Sequence, residues 1–128
     1  MFFQRGHVNS LRYVSRGNIL VWDYNIGDFT LDTDWHILDI SSKITPNTVL
    51  AHVELLVKSH NAGEAAYFRP HDYQGYYLAT MLSTQEGEVL SSIDFFLRTD
   101  SDGKIDYRFL GYWWNAIYFG IKGYFVAD

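Results

Sequence analysis

Three short stretches of this 128-residue chain hold side chains suited to chemistry or ligand contact. The first is GYWWN, Gly111 to Asn115. Tyr112, Trp113 and Trp114 offer broad aromatic faces, which stack on sugar rings or pack against a protein partner. In extended chain, neighbouring side chains point opposite ways. One tryptophan can therefore enter a core while the other stays outside. Core and edge packing is the competing reading of this stretch. The second is His71-Asp72, which has the look of an oriented base, and with Asn115 it would supply hydrogen-bonding groups to a sugar. No serine nucleophile elbow accompanies it. The third is D-x-D-G-x-x-D, formed by Asp100, Asp102 and Asp106. Hard oxygen ligands this close suit Ca²⁺. The spacing is not that of an EF-hand, and a hairpin turn accounts for Asp102-Gly103. No metal is assigned, and the three aspartates stay as weak candidates.

Elsewhere the chemistry is thin. His7, His36, His52, His60 and His71 form neither H-x-H nor H-E-x-x-H, and a structural role is expected for each. Glu54, Glu64, Glu86, Glu88 and Asp94 are available as paired carboxylates for glycoside hydrolysis, which needs a separation of about 5–9.5 Å. Nothing in their spacing singles out a pair. Cysteine is absent, which excludes disulfides, thiolate metal sites and thiol catalysis. The chain reads as non-enzymatic, and no cofactor is expected.

The elements that must position these residues read as strands. Thr48 to Lys58, TVLAHVELLVK, is the longest clean alternation, with Val49, Ala51, Val53, Leu55 and Val57 on one face. A period of two marks a half-buried strand. Val89 to Arg98 alternates likewise, with Ile93, Phe95 and Leu97 on one side. Further strands are expected at Val8–Val14, Ile19–Ile26, Trp35–Ile40, Glu64–Pro70, Tyr76–Leu82, Lys104–Leu110 and Ala116–Val126. A helix start is the alternative for Tyr76–Leu82. In the last strand Ile117, Phe119, Ile121 and Phe125 share a face, with Gly120 and Gly123 as bulges or close-approach points. Turn signals recur every 8–12 residues and no βαβ alternation is present. The fold class is therefore all-β: a single antiparallel sandwich, jelly-roll-like, of eight or nine strands. Residues 1–18 form an N-terminal arm or edge strand, and 19–128 the sandwich.

Composition narrows the partners. A net charge of −5 argues against general nucleic-acid binding. No apolar run is long enough to span a bilayer. The start, MFFQRGHVNSLRYVSRG, lacks an apolar core of signal-peptide length, so Sec export is not expected. Aromatics make up 18% of the chain, more than one core of this size readily buries. The surplus belongs at a subunit interface or a binding surface.

The order GDFTLDTDWHILDIS, ITPNTVLAHVELLVK, GEAAYFRP, with IDYRF and IKGY after it, resembles a β-sandwich domain of phage and bacterial fibre and virion surface proteins. The resemblance covers about residues 20–126. It departs after Phe68-Arg69, where PHDYQGYY replaces an Asn/Gly-rich loop, so no ligand carries over. The resemblance implies a virion structural or surface protein, such as a spike, decoration or fibre-head domain. It would be made in the host cytoplasm and work by assembly with other virion proteins, with host attachment as a further role. The alternative is a carbohydrate-binding module using the exposed aromatics, and host-surface glycans would reconcile the two. A homo-oligomer is expected, with a trimer favoured by the resemblance. Its physical basis is the outward placement of Leu50, Leu56, Leu90, Phe96, Tyr118 and Tyr124.

Overall fold

The computed structural model describes residues 10–17, 21–73 and 79–127. Among the described residues nine strands run β1 (Leu11–Ser15), β2 (Tyr24–Asn25), β3 (His36–Asp39), β4 (Thr48–Ser59), β5 (Ala65–Pro70), β6 (Thr80–Ser83), β7 (Ser91–Leu97), β8 (Lys104–Leu110) and β9 (Trp114–Ala127). Two short 3-10 turns, Ile26–Asp28 and Ser41–Lys43, are the helical elements among them. No helix of the described residues is long and apolar enough to cross a membrane.

The strands form two antiparallel sheets packed face to face, ordered β1-β9-β4-β7 and β3-β8-β5-β6, with β2 also on β9. The pairs β1·β9, β3·β8, β4·β7 and β5·β6 nest one inside the next. That is the order produced when one long folded ribbon is wound into a jelly roll. The alternation read from the sequence fixes what lies between the sheets. Ala51, Val53, Leu55 and Val57 are each fully buried on β4, and Ile105 and Phe109 on β8. Phe68 packs on Phe119 at 5.3 Å and edge-on to Phe109 at 5.9 Å. Each of these valine, leucine, isoleucine and phenylalanine side chains stabilises the fold by about 1.5–3 kcal/mol, and Ala51 by less. Phe29, in the crossing between the sheets, caps this stack against Tyr107, Phe109 and Phe119.

Three local readings are corrected. The strand expected over Ile19–Ile26 keeps only Tyr24 and Asn25 among the described residues. Before them the edge of β9 is closed by side chains. The Asp23 carboxylate accepts the Ile121 N–H at 2.8 Å, and Arg16 donates to the Ile121 carbonyl at 2.8 Å. Arg16 and Asp23 also pair with each other at 2.6 Å.

The second correction concerns β9. Its register on β4 shifts between His52 and Val53: Val53 opposes Ile121, but His52 opposes Gly123. Lys122 is the extra residue of a bulge, and the alternation inverts beyond it. Tyr124 and Val126 therefore turn inward and are buried, while Phe125 turns outward. Both glycines were rightly read as close-approach points. A Cβ at Gly120 would lie 3.1 Å from the Trp22 ring, and one at Gly123 would meet the Tyr13 ring and lie 2.6 Å from the Val14 carbonyl oxygen.

The third concerns the carboxy-terminal end of GYWWN. The loop is shorter than Gly111–Asn115, because β9 already begins at Trp114. Of the expected Val8–Val14 and Tyr76–Leu82 strands, residues 8–9 and 76–78 lie outside the described residues. So does His7.

Candidate functional site

One end of the sandwich gathers three connections: 60–64 between β4 and β5, 84–90 between β6 and β7, and 111–113 between β8 and β9. They are knitted from their backbones up. Thr84, itself buried, accepts from Glu64 N at 3.0 Å and lies 3.0 Å from the Asn61 carbonyl. Its own N–H donates to the Glu64 carbonyl at 2.8 Å. His60 N donates to the Trp113 carbonyl at 2.8 Å, and the fully buried Ser59 hydroxyl lies 3.2 Å from the same oxygen. That hydroxyl also donates to the Glu64 carboxylate. Glu88 N donates to the Ser59 carbonyl at 2.7 Å.

On this hydrogen-bonded base stands an exposed group of mixed chemistry. Trp113 is 59% exposed and Tyr112 75%, while Trp114 is only 7% exposed and packs edge-on to Phe109 at 5.3 Å. The two adjacent tryptophans thus divide as extended chain requires, one inside and one outside. The Trp114 indole N–H is the buried side-chain polar atom without a hydrogen-bond partner among those described. The His60 ring lies 6.3 Å from that of Trp113. Its Nδ1 is 2.9 Å from Glu88 Oε1, which also accepts from Asn115 Nδ2 at 2.8 Å. A carboxylate only accepts, so His60 Nδ1 carries the proton. These two bonds, His60 first, hold the Glu88 carboxyl below the usual glutamate range.

Glu88 has φ of +64°, in the left-handed region that glycine prefers. Such a conformation costs about 1–3 kcal/mol and persists only where surroundings impose it. Here the preceding Gly87 lies so close to the His60 carbonyl that a side chain would not fit. Val89 and Leu90, both exposed, extend the surface.

The other candidates do not join this group. In β5, Ala65 pairs with Leu110 and Pro70 with Ile105. His71, just beyond Pro70, is thus at the far end of a strand about 17 Å long at 3.3 Å per residue. His71 is an oriented imidazole, its Nδ1 lying 2.6 Å from Asp106. Asp106 also binds Arg69 Nε at 3.1 Å, and both side chains are 5% exposed. Trp35 covers the pair, its ring 3.7 Å from the Arg69 guanidinium carbon. Asp72 pairs with Arg98 at 3.0 Å, which holds its carboxyl below the ordinary range.

The three aspartates read as weak metal candidates also separate. Asp100 accepts the backbone N–H groups of Asp102 and Lys104 within the turn, at 2.9 and 2.8 Å, while Asp106 serves Arg69 and His71. No group of three or more His, Asp or Glu among the described residues is placed to hold a metal ion.

A second surface lies on the outer face of the β1-β9-β4-β7 sheet, towards the other end of β4. Tyr13 packs on Phe125 at 5.0 Å, Phe125 on Phe96 at 5.7 Å, and Phe96 on His52 at 4.8 Å. These four rings come from four neighbouring strands and form a continuous strip. Leu11 and Phe96 are each 53% exposed. Tyr124, expected to contribute to this face, is buried through the bulge. Tyr118 lies further along β9 and is partly covered by Trp22 at 5.7 Å.

A scan against protein-family models gives no match, and a search of curated proteins gives none either. The Phe29, Leu38, Ile40 and Phe68 of the motif pattern are core residues, and its Trp35 and Arg69 stack on each other.

Proposed function

We propose that the chain is a non-enzymatic surface protein of a virion, such as a spike, decoration or fibre-head domain, that works by assembly with copies of itself. The observation that carries this reading is the strip of Tyr13, Phe125, His52 and Phe96, with Leu11 beside it. Monomeric proteins rarely leave large contiguous apolar patches to water, and a subunit interface of about 800 Å² per partner would cover this aromatic strip together with the His52 contacts to Tyr13 and Asp94 that cross it. The jelly-roll strand order supports it at the level of fold, since capsid and lectin domains share that order. The motif resemblance to fibre and virion surface domains points the same way. Light scattering of the purified chain tests the assembly. A stable multiple of the 14.9 kDa chain is expected, with a trimer favoured, and a monomer at high micromolar concentration would overturn it. Capsid, portal or tail genes beside its own gene would support the virion setting, and a metabolic operon would overturn it.

The exposed pole favours a second, compatible reading as a carbohydrate-binding surface for host attachment. Trp113 and Tyr112 present aromatic faces beside the carboxylate, imidazole and amide of Glu88, His60 and Asn115. Sugar rings need that combination of an apolar face and polar hydroxyl partners. Quenching or shift of tryptophan fluorescence on adding polysaccharides tests it. An unchanged spectrum together with an empty glycan array would remove this reading.

A further inference from the structure

We infer that the pole around Trp113 takes sugars without an acidic group, a neutral pyranose ring stacked on the indole, and turns acidic sugars away. The inference rests on the carbohydrate reading and adds the class of sugar. Its first ground is placement. The Trp113 backbone is fixed by hydrogen bonds from His60 N and alongside Ser59 Oγ, yet its indole stays largely exposed. Trp114 already fills the core beneath, so Trp113 supplies an outward flat face on an anchored backbone. Such faces stack on the C–H side of a pyranose at little ordering cost.

The second ground is hydrogen-bonding sense. Glu88 Oε1 is occupied by His60 and Asn115, which fixes the carboxylate with Oε2 left to accept. An ionised carboxylate needs donors, and the hydroxyls of a neutral sugar are donors. An acidic sugar shares those ring hydroxyls, but its carboxylate or sulfate adds only acceptors and charge beside a group that itself only accepts. The third ground is charge. The three connections and the adjoining end of β4 carry Glu64, Glu86 and Glu88 against Lys58, with His60 paired to Glu88. The chain as a whole is also net acidic, at −5. An acidic sugar entering beside Glu88 would meet like charge.

The test uses the intact chain and tryptophan fluorescence, at pH 7 and low salt. The probes are a neutral set (glucan, mannan, galactan and N-acetylglucosamine oligomers) and an acidic set (polygalacturonate and polysialic acid). At least one neutral probe should bind, with acidic probes at least tenfold weaker. Trp113→Ala, which lacks the reporting indole and is therefore followed by titration calorimetry, should abolish binding with an unchanged circular dichroism spectrum. Glu88→Gln should weaken the neutral probe about tenfold and narrow the gap to the acidic ones. Acidic probes binding as well as neutral ones would overturn the inference and leave the carbohydrate reading standing. A Glu88→Gln variant with the same preference as the parent would do the same. No binding in either set would overturn both.

Discussion

Two side-chain constellations are decided by single residues. Glu88 is held in its charged form by His60 and then Asn115, so its folded-state pKa lies below the ordinary 4.5. A depressed carboxylate adds stability that is present above its unfolded value and lost as pH falls through the folded one. The loss therefore sets in as pH nears 4.5 and completes below it, and exposure makes it small. An NMR titration of the Glu88 carboxyl should give a midpoint under 4.5. His60→Ala should move it back up towards that value, by more than Asn115→Ala does. A midpoint unmoved by His60→Ala would show that the hydrogen bond is not what holds the charge. Asp106 is the opposite case, a carboxylate buried between Arg69 and His71. Asp106→Asn removes the charge while leaving Arg69 buried, and breaking such a pair costs about 3–5 kcal/mol. Urea unfolding should show a loss of that order, whereas Asp72→Asn, at an exposed pair, should stay within about 1 kcal/mol.

At the scale of the elements, the sequence was most legible where one face of a strand meets the core. The β4 and β7 alternations are legible because burial enforces a period of two. The same logic failed at β9, because one extra residue at Lys122 inverts every later side chain and leaves no mark in the local pattern beyond Gly123. The pole was half legible. Adjacent tryptophans announce one buried and one exposed ring, so Trp113 could be read. His60 and Glu88 could not, since they lie 28 residues apart and meet only through the pairing of connections. His71 was assigned its sequence neighbour Asp72 for the same reason, whereas the strand pairing of β5 with β8 supplies Asp106. The bulge gives a test. Gly123→Ala places a methyl against Tyr13 and the Val14 carbonyl, and should cost about 1–3 kcal/mol. The damage should concentrate in β1. Hydrogen exchange of the Tyr13 and Ser15 amides should accelerate while that of Val53 and Leu55 holds. Uniform acceleration would mean that β1 is integral to the core rather than an edge laid onto it.

Across the whole molecule, the two surfaces lie towards opposite ends of β4. His52, in the aromatic strip, and Ser59, beneath the pole, are seven residues apart on one strand, or about 23 Å. Assembly through the strip would leave the pole outward and bring several poles onto one particle. Multivalent contact then adds avidity without changing any single site, by as much as 10²–10⁴-fold where geometry allows. Phe96→Asp separates the two roles. The side chain is half exposed on the outer face, so the charge should be tolerated by the fold and should break the apolar strip. Light scattering should then give a single 14.9 kDa chain where the parent gives an oligomer. Binding of a short neutral oligosaccharide, followed by tryptophan fluorescence, should be unchanged within about twofold. Retention on a surface coated with the matching polysaccharide should fall by about 100-fold. An oligomer that survives Phe96→Asp would place the interface elsewhere. A monomer that also loses the short oligosaccharide would show that the pole is completed by a neighbouring subunit, and not built by one chain alone.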